Sequence, residues 1–189
     1  MEEKIELSIY ERQVLINQLE ILKKLNRKEF DEKDFNNKIE ALKSGYELHY
    51  QDVFEEISDE TLPYDKCREV LNILEMFRGI IYSYNHLKQE KKLLKLTTND
   101  VKFIGFDGNN ETKQMLYTKY FISDLNRYSE IQQLCGNDFD YNSHYPMIST
   151  YRIMLDIWNR YRQSLDNAYL MSEEEIRELL QQYHPHTFR

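Results

Sequence analysis

Cys67 to Leu87, CREVLNILEMFRGIIYSYNHL, is the longest mostly apolar run in the chain and decides its fold class. Its apolar residues recur at helical spacing and not in alternation. On a helical wheel Val70, Leu71, Ile73, Leu74, Met76, Phe77, Ile80, Ile81, Tyr82, Tyr84 and Leu87 cover most of the circumference. A helix apolar nearly all round needs neighbours on several sides, so the run predicts a buried central helix. What escapes is a polar strip roughly 80° wide, at about 100° per residue. It holds Arg68, Asn72, Glu75, Gly79, Ser83 and His86, while Arg78 and Asn85 fall among apolar neighbours.

Composition agrees with a helical reading. Hydrophobic residues make up 41% of 189 residues and aromatics 13%, enough for a substantial core in one domain or one core with an appendage. Only 5 Gly and 3 Pro are present, too few for the many tight turns of a strand-rich fold. The net charge of −8 disfavours a nucleic-acid partner, which needs a cationic surface. Two cysteines, Cys67 and Cys135, supply neither a disulfide framework nor metal-ligand spacing. The N-terminal MEEKIELSIYERQ has acidic residues where a signal peptide has basic ones, and no run approaches the roughly 18 apolar residues of a membrane span. A cytoplasmic protein off the membrane is expected.

The other segments also read as helices. Ser8 and Glu11 form a capping box ahead of an apolar arc from Val14 to Leu25, with Gln18 inside the arc and Arg12 at its edge, both expected to be pinned by partners. A second helix runs from about Asp34 to a break at Ser44-Gly45, completing a helical hairpin, with a further helical segment from Tyr46 to Ile57. Ser58, Asp59 and Thr61 are competent caps for the central helix, and Pro63 suits its first turn. Leu93 to Gly108 is expected to be an apolar loop laid across the core with no strand to pair with. Asn109 or Asn110 should cap a buried helix carrying Met115 to Leu125. Pro146 starts an amphipathic helix with an Arg152, Asp156, Arg160 ladder, and Ser172 and Glu175 repeat the capping box. The expected units are 1–57, the hairpin, and 58–189, the helical array.

No phosphate loop, nucleophile elbow or zinc spacing is present. His184 and His186 lack a carboxylate at fixed spacing, so no metal and no cofactor is expected. The polar strip is the best candidate site: Arg68, Asn72, Glu75 and His86, with Asp107 from the apolar loop, are the candidate binding residues, and no residue is assigned a catalytic role. Gly79 in a helix interior costs about 1 kcal/mol relative to Ala, which asks for a reason: close helix packing, or room for a ligand. Glu75 is expected to be ion-paired with Arg68, Arg12 or Arg127, the alternative being a buried general base of raised pKa. Asp107 is expected to cap the following helix.

With these segments in place, the chain resembles the YfbU-like family of bacterial proteins, a family of uncharacterised function. The resemblance rests on Arg12 to Gln18 (RQVLINQ), the Ser44-Gly45-Tyr46 break, and Cys67 with Ile73 to Phe77. It continues through Phe103 to Asp107 (FIGFD), Arg127-Tyr128, and Tyr151 to Leu155 (YRIML) with Trp158. It implies an all-α fold, a helical hairpin joined to an irregular helical array, and no particular activity. Together these features predict a non-enzymatic, homo-oligomeric interaction or regulatory protein with a protein partner. The alternative is a small-molecule-binding protein or enzyme using Glu75 with Asp107.

Overall fold

The computed structural model describes residues 5–25, 29–54, 57, 60–90, 95–136, 138–164 and 169–182. The fold is all-α: its regular elements are helices, joined among the described residues by a single isolated β-bridge. The chain divides into two compact units, Met1–Thr61 and Leu62–Arg189.

The first unit is a hairpin of α1 (Ile9–Leu25) and α2 (Glu29–Ser44), followed by two 3₁₀ turns, Glu47–His49 and Gln51–Phe54. The Ser8 capping box forms as expected. Ser8 Oγ accepts the Glu11 N–H (3.2 Å), and the Glu11 carboxylate accepts the Ser8 N–H (2.8 Å). Ile16 and Leu19 of α1 meet Ile39 and Leu42 of α2, with Tyr50 closing the cluster. Gly45 ends α2 at φ +71°, a conformation open to glycine, and the Arg12 guanidinium packs closely over it, 3.2 Å from where a Cβ would stand, while donating to the Leu42 carbonyl (3.0 Å). Gln18, expected to be pinned, is instead exposed, because the buried stripe of α1 runs through Ile16 and Leu19 on another side.

The second unit is built round α3 (Tyr64–Gln89), the predicted central helix. Val70, Ile73, Leu74, Met76, Phe77, Ile80 and Ile81 are buried, and no side chain caps its start, where Pro63 takes the cap position. Ser58 and Asp59 lie outside the described residues. Around it stand α4 (Thr112–Lys119), α5 (Ser129–Cys135), α6 (Ile148–Ser164) and α7 (Glu173–Gln181). Gly79 has the packing explanation. A Cβ built there would lie 2.2 Å from Cη2 of Trp158, so the helix accepts a glycine in order to seat that indole. One turn on, buried Ser83 donates to the Gly79 carbonyl (2.8 Å) and accepts the Met171 N–H (3.1 Å).

Leu96, Val101, Phe103 and Phe106 are buried, so the loop does lie across the core. It also finds a pairing partner that the sequence hid. Phe106 N–H donates to the Tyr141 carbonyl (2.9 Å) and Ser143 N–H to the Phe106 carbonyl (3.0 Å), a one-residue parallel bridge too short to leave an alternating pattern. Gly105, at φ +93°, permits this approach, since a Cβ would meet the Tyr141 carbonyl oxygen at 1.9 Å.

Other expectations need correction. The helix after the loop is buried on one side only: it passes at Tyr120–Asp124 into a π turn, Ile122 is fully buried and Met115, Tyr117 and Phe121 pack on the core, while Leu116, Tyr120 and Leu125 are about half exposed. Neither Asn109 nor Asn110 caps α4: Glu111 holds the cap position without a side-chain cap bond, and the Asn110 amide is turned to Asp107 instead. The arginines of α6 reach outward to other helices instead of forming a ladder. Arg152 pairs with Glu69 of α3 (2.5 Å) and Arg160 with Glu178 of α7 (3.9 Å). The second capping box forms at Ser172 and Glu175 and starts α7, whose Ile176, Leu179 and Leu180 are fully buried.

Candidate functional site

The solvent-facing side of α3 drifts along its length. Arg68 and Asn72 are exposed, Gly79 and Ser83 are covered, and the exposure passes instead to Arg78, Tyr82 and Asn85. Where the two courses part, half-buried Glu75 meets residues from outside its own helix. The Tyr128 hydroxyl donates to Glu75 Oε2 at 2.5 Å, and Arg78, three residues on, approaches the same oxygen at 3.9 Å. Arg78 also places Nε 2.7 Å from Oε1 of Glu130 and its guanidinium carbon 4.9 Å above the Tyr128 ring. Arg78 thus links two carboxylates and one aromatic face, an arrangement suited to a planar cation.

None of the three arginines expected beside Glu75 fills that place. Its partners are Arg78, visible in retrospect as an i, i+3 neighbour, and Tyr128, which by residue type alone reads as core. Burial first, then the hydrogen bond to Glu75 and that carboxylate's charge, push the Tyr128 phenol up to about 12, with Arg78 opposing.

The backbone that delivers Tyr128 is unusual. The π turn closes with Leu125 N–H on the Tyr120 carbonyl (2.9 Å), and Asn126 and Tyr128 then take left-handed φ values of +50° and +49° before α5 begins. Left-handed backbone costs an L-residue roughly 1–2 kcal/mol, more readily borne by asparagine than by tyrosine. Such strain concentrates at functional sites, and π turns do likewise. Next to Glu130 and Arg78 opens a cleft of about 580 Å³, lined also by Ile81, Tyr82, Asn85 and Tyr169. That volume is within the range of small-molecule sites.

The other candidate residues stand apart. Arg68 and Asn72 lie on the first half of α3, and His86 faces Glu90 at 3.5 Å. Asp107 belongs to a separate network. It accepts the Asn109 N–H (3.0 Å) and the Asn110 amide, and these bonds, the Asn110 one foremost, hold its carboxyl below the usual carboxylate range. It therefore closes its own turn and does not cap α4. Its N–H donates to Glu111 (3.0 Å), whose other oxygen accepts the N–H groups of Met147 and Ile148, both at 2.8 Å. Buried Glu111 thus ties the start of α4 to the start of α6, and nothing in its local sequence signals that role. Near the Phe103 loop Cys135 donates to the Phe103 carbonyl (3.3 Å), and burial pushes its thiol up to about 11.

His184 and His186 lie outside the described residues. Among the described residues no helix is long and apolar enough to cross a membrane.

Comparison with known proteins matches this chain to the YfbU domain over residues 5–182. The UPF0304 protein MJECS11 of Methanocaldococcus jannaschii is 34% identical over 176 residues, covering 92% of this chain and 98% of that protein. A match that begins before α1 and ends after α7 takes in both the hairpin and the helical array. The chain therefore belongs to the YfbU family.

Proposed function

We propose that this protein is a non-enzymatic interaction module that works as a homo-oligomer, with further proteins as its partners. One observation carries the reading: large hydrophobic side chains lie in the open on the hairpin unit. Ile9, Tyr10, Ile21, Leu22, Leu25, Tyr46, Leu48 and Ile57 are each more than half exposed in the unit Met1–Thr61. Apolar surface gathered at this density marks contact surfaces in soluble proteins. Native mass spectrometry of the full chain tests the reading. A defined multiple of the 23.1 kDa chain is the expected result, and a monomer at micromolar concentration overturns it.

A second reading is favoured by the strained Tyr128 and the cleft beside Arg78: small-molecule binding next to Glu75. Asp107 enters it only as support for the fold, since the two carboxylates stand in separate hydrogen-bond networks. A small molecule retained in the native spectrum, and released by Arg78→Met, is the outcome this reading expects. Retention unaffected by that change would exclude the cleft as its seat.

A further inference from the structure

We infer that the outer face of α1 is a self-pairing surface, on which the α1 of a second copy lies antiparallel so that two hairpins form a four-helix bundle. This rests on the self-association reading above and names the surface that performs it.

The two helices of the hairpin differ in what they show to solvent. α2 exposes Glu32, Lys33, Asp34, Asn36, Asn37 and Glu40, the ordinary outer face of an amphipathic helix. α1 has an apolar stripe where solvent-facing polar residues belong. At about 100° per residue, Tyr10, Val14, Gln18, Ile21, Leu22 and Leu25 fall within roughly 120° of arc, with Glu11 of the capping box the one charged residue inside it. Buried Ile16 and Leu19 point away from that stripe, toward α2. Tyr10 is 78% exposed, Leu25 71%, Ile21 58% and Leu22 51%. A helix with two apolar faces has one neighbour in its hairpin and a place for another.

Area and symmetry select the occupant. Scaled by their exposures, these four side chains leave about 500 Å² of apolar surface. With Val14, Gln18 and the flanking polar residues the face approaches the ~800 Å² per partner of a standard interface. The stripe also complements itself. Its ends are Tyr10 and Leu25, so a two-fold axis through its middle sets Gln18 close to Gln18 and brings Tyr10 level with Leu25 of the other copy. A lone polar residue near the centre of an apolar seam fixes register. The acidic first turn, with Glu11, comes level with the basic last turn, with Lys23 and Lys24, and the helix dipoles oppose. The result is the antiparallel packing of a four-helix bundle.

The test uses the full chain. Native mass spectrometry and sedimentation should give twice 23.1 kDa for the wild type and the single-chain mass for Ile21→Glu/Leu25→Glu, with the helical circular dichroism unchanged. Both positions are exposed, so the charges do not enter the core. Lys33→Glu/Lys43→Glu, at exposed positions of α2, should leave the dimer intact. In parallel, Gln18→Cys with a short bis-maleimide linker should join the two introduced thiols, a product that only two copies can form. A dimer that survives the charged pair, or a linker that ties the introduced thiol to Cys67 or Cys135 of the same chain instead, overturns the assignment of α1 and leaves the interaction reading standing. A wild-type monomer overturns both.

Discussion

Replacing Gly79 by alanine sets two effects of opposite sign against each other, and the geometry of Trp158 decides between them. In a helix interior alanine is favoured over glycine by about 1 kcal/mol. Here the new methyl would stand 2.2 Å from Cη2, 2.9 Å from Cζ3 and 3.0 Å from Cζ2 of Trp158. The indole is only 1% exposed, so it has no open side to retreat to. Overpacking of this kind costs about 1–3 kcal/mol, and three ring atoms in collision place it at the upper end. The expected net loss is about 2 kcal/mol, the upper overpacking figure less the helix-propensity gain. With a urea slope of about 2 kcal/mol/M, the midpoint of unfolding should fall by about 1 M. Trp158 is the only tryptophan in the chain, so fluorescence reports from the point of collision. A companion variant isolates the cause: in a Trp158→Phe background, Gly79→Ala should be neutral or stabilising by circular dichroism. A Gly79→Ala protein more stable than the wild type would refute the packing argument and leave Gly79 without a physical reason.

Other outcomes are expected elsewhere in the array. Glu111→Ala strips the acceptor from three backbone N–H groups and should cost about 3–5 kcal/mol in urea unfolding, with Glu111→Gln intermediate because it keeps one oxygen. Cys135, partly buried with its thiol near 11, is about one part in a thousand thiolate at pH 8, so in the native state it should react with a disulfide reagent about a hundredfold more slowly than in the unfolded chain. Its raised folded value contributes stability that is present below the unfolded thiol value near 8.5–9 and lost as pH rises toward 11. Rapid native labelling of Cys135 at pH 8 would contradict this burial.

Elements that rest on repeated local signals are legible in the sequence. The central helix follows from its apolar wheel, and both capping boxes follow from Ser and Glu three residues apart. Gly79 asks for a reason in the sequence alone, and of the two on offer the structure holds the packing one. Features set by pairing across the fold are not legible. Glu75 stands out on its strip, yet its partner Tyr128 is fifty-three residues away and reaches it through two left-handed residues that no periodicity announces. Arg152 and Arg160 read as a ladder because sequence spacing reports neighbours on one helix only, whereas Glu69 and Glu178 lie on others. Tyr82 counts as core by its type, and it stands 55% exposed beside the cleft. The buried helix expected at Met115 to Leu125 fails for a related reason. The π turn rotates the side chains after Lys119, so a straight wheel no longer tells which of them face the core.

The Glu111 clamp gives the second unit a neck. The chain leaves through the turn at Asp107, runs out through α4, the π turn and α5, and returns at Tyr141 to Ile148. There the Phe106–Asn142 bridge and the Glu111 carboxylate hold both ends. Once a neck is fixed, lengthening the loop adds little closure entropy, since each doubling costs only about 0.6 kcal/mol. Insertions at exposed Gly136 should therefore be tolerated more readily than their size suggests, unlike insertions near Ile122 or Ile131, which are fully buried in the core. The same changes at Asp107 to Glu111 should not. In hydrogen exchange the amides of Asp107, Met147 and Ile148 should open together with one common free energy, as a single latch.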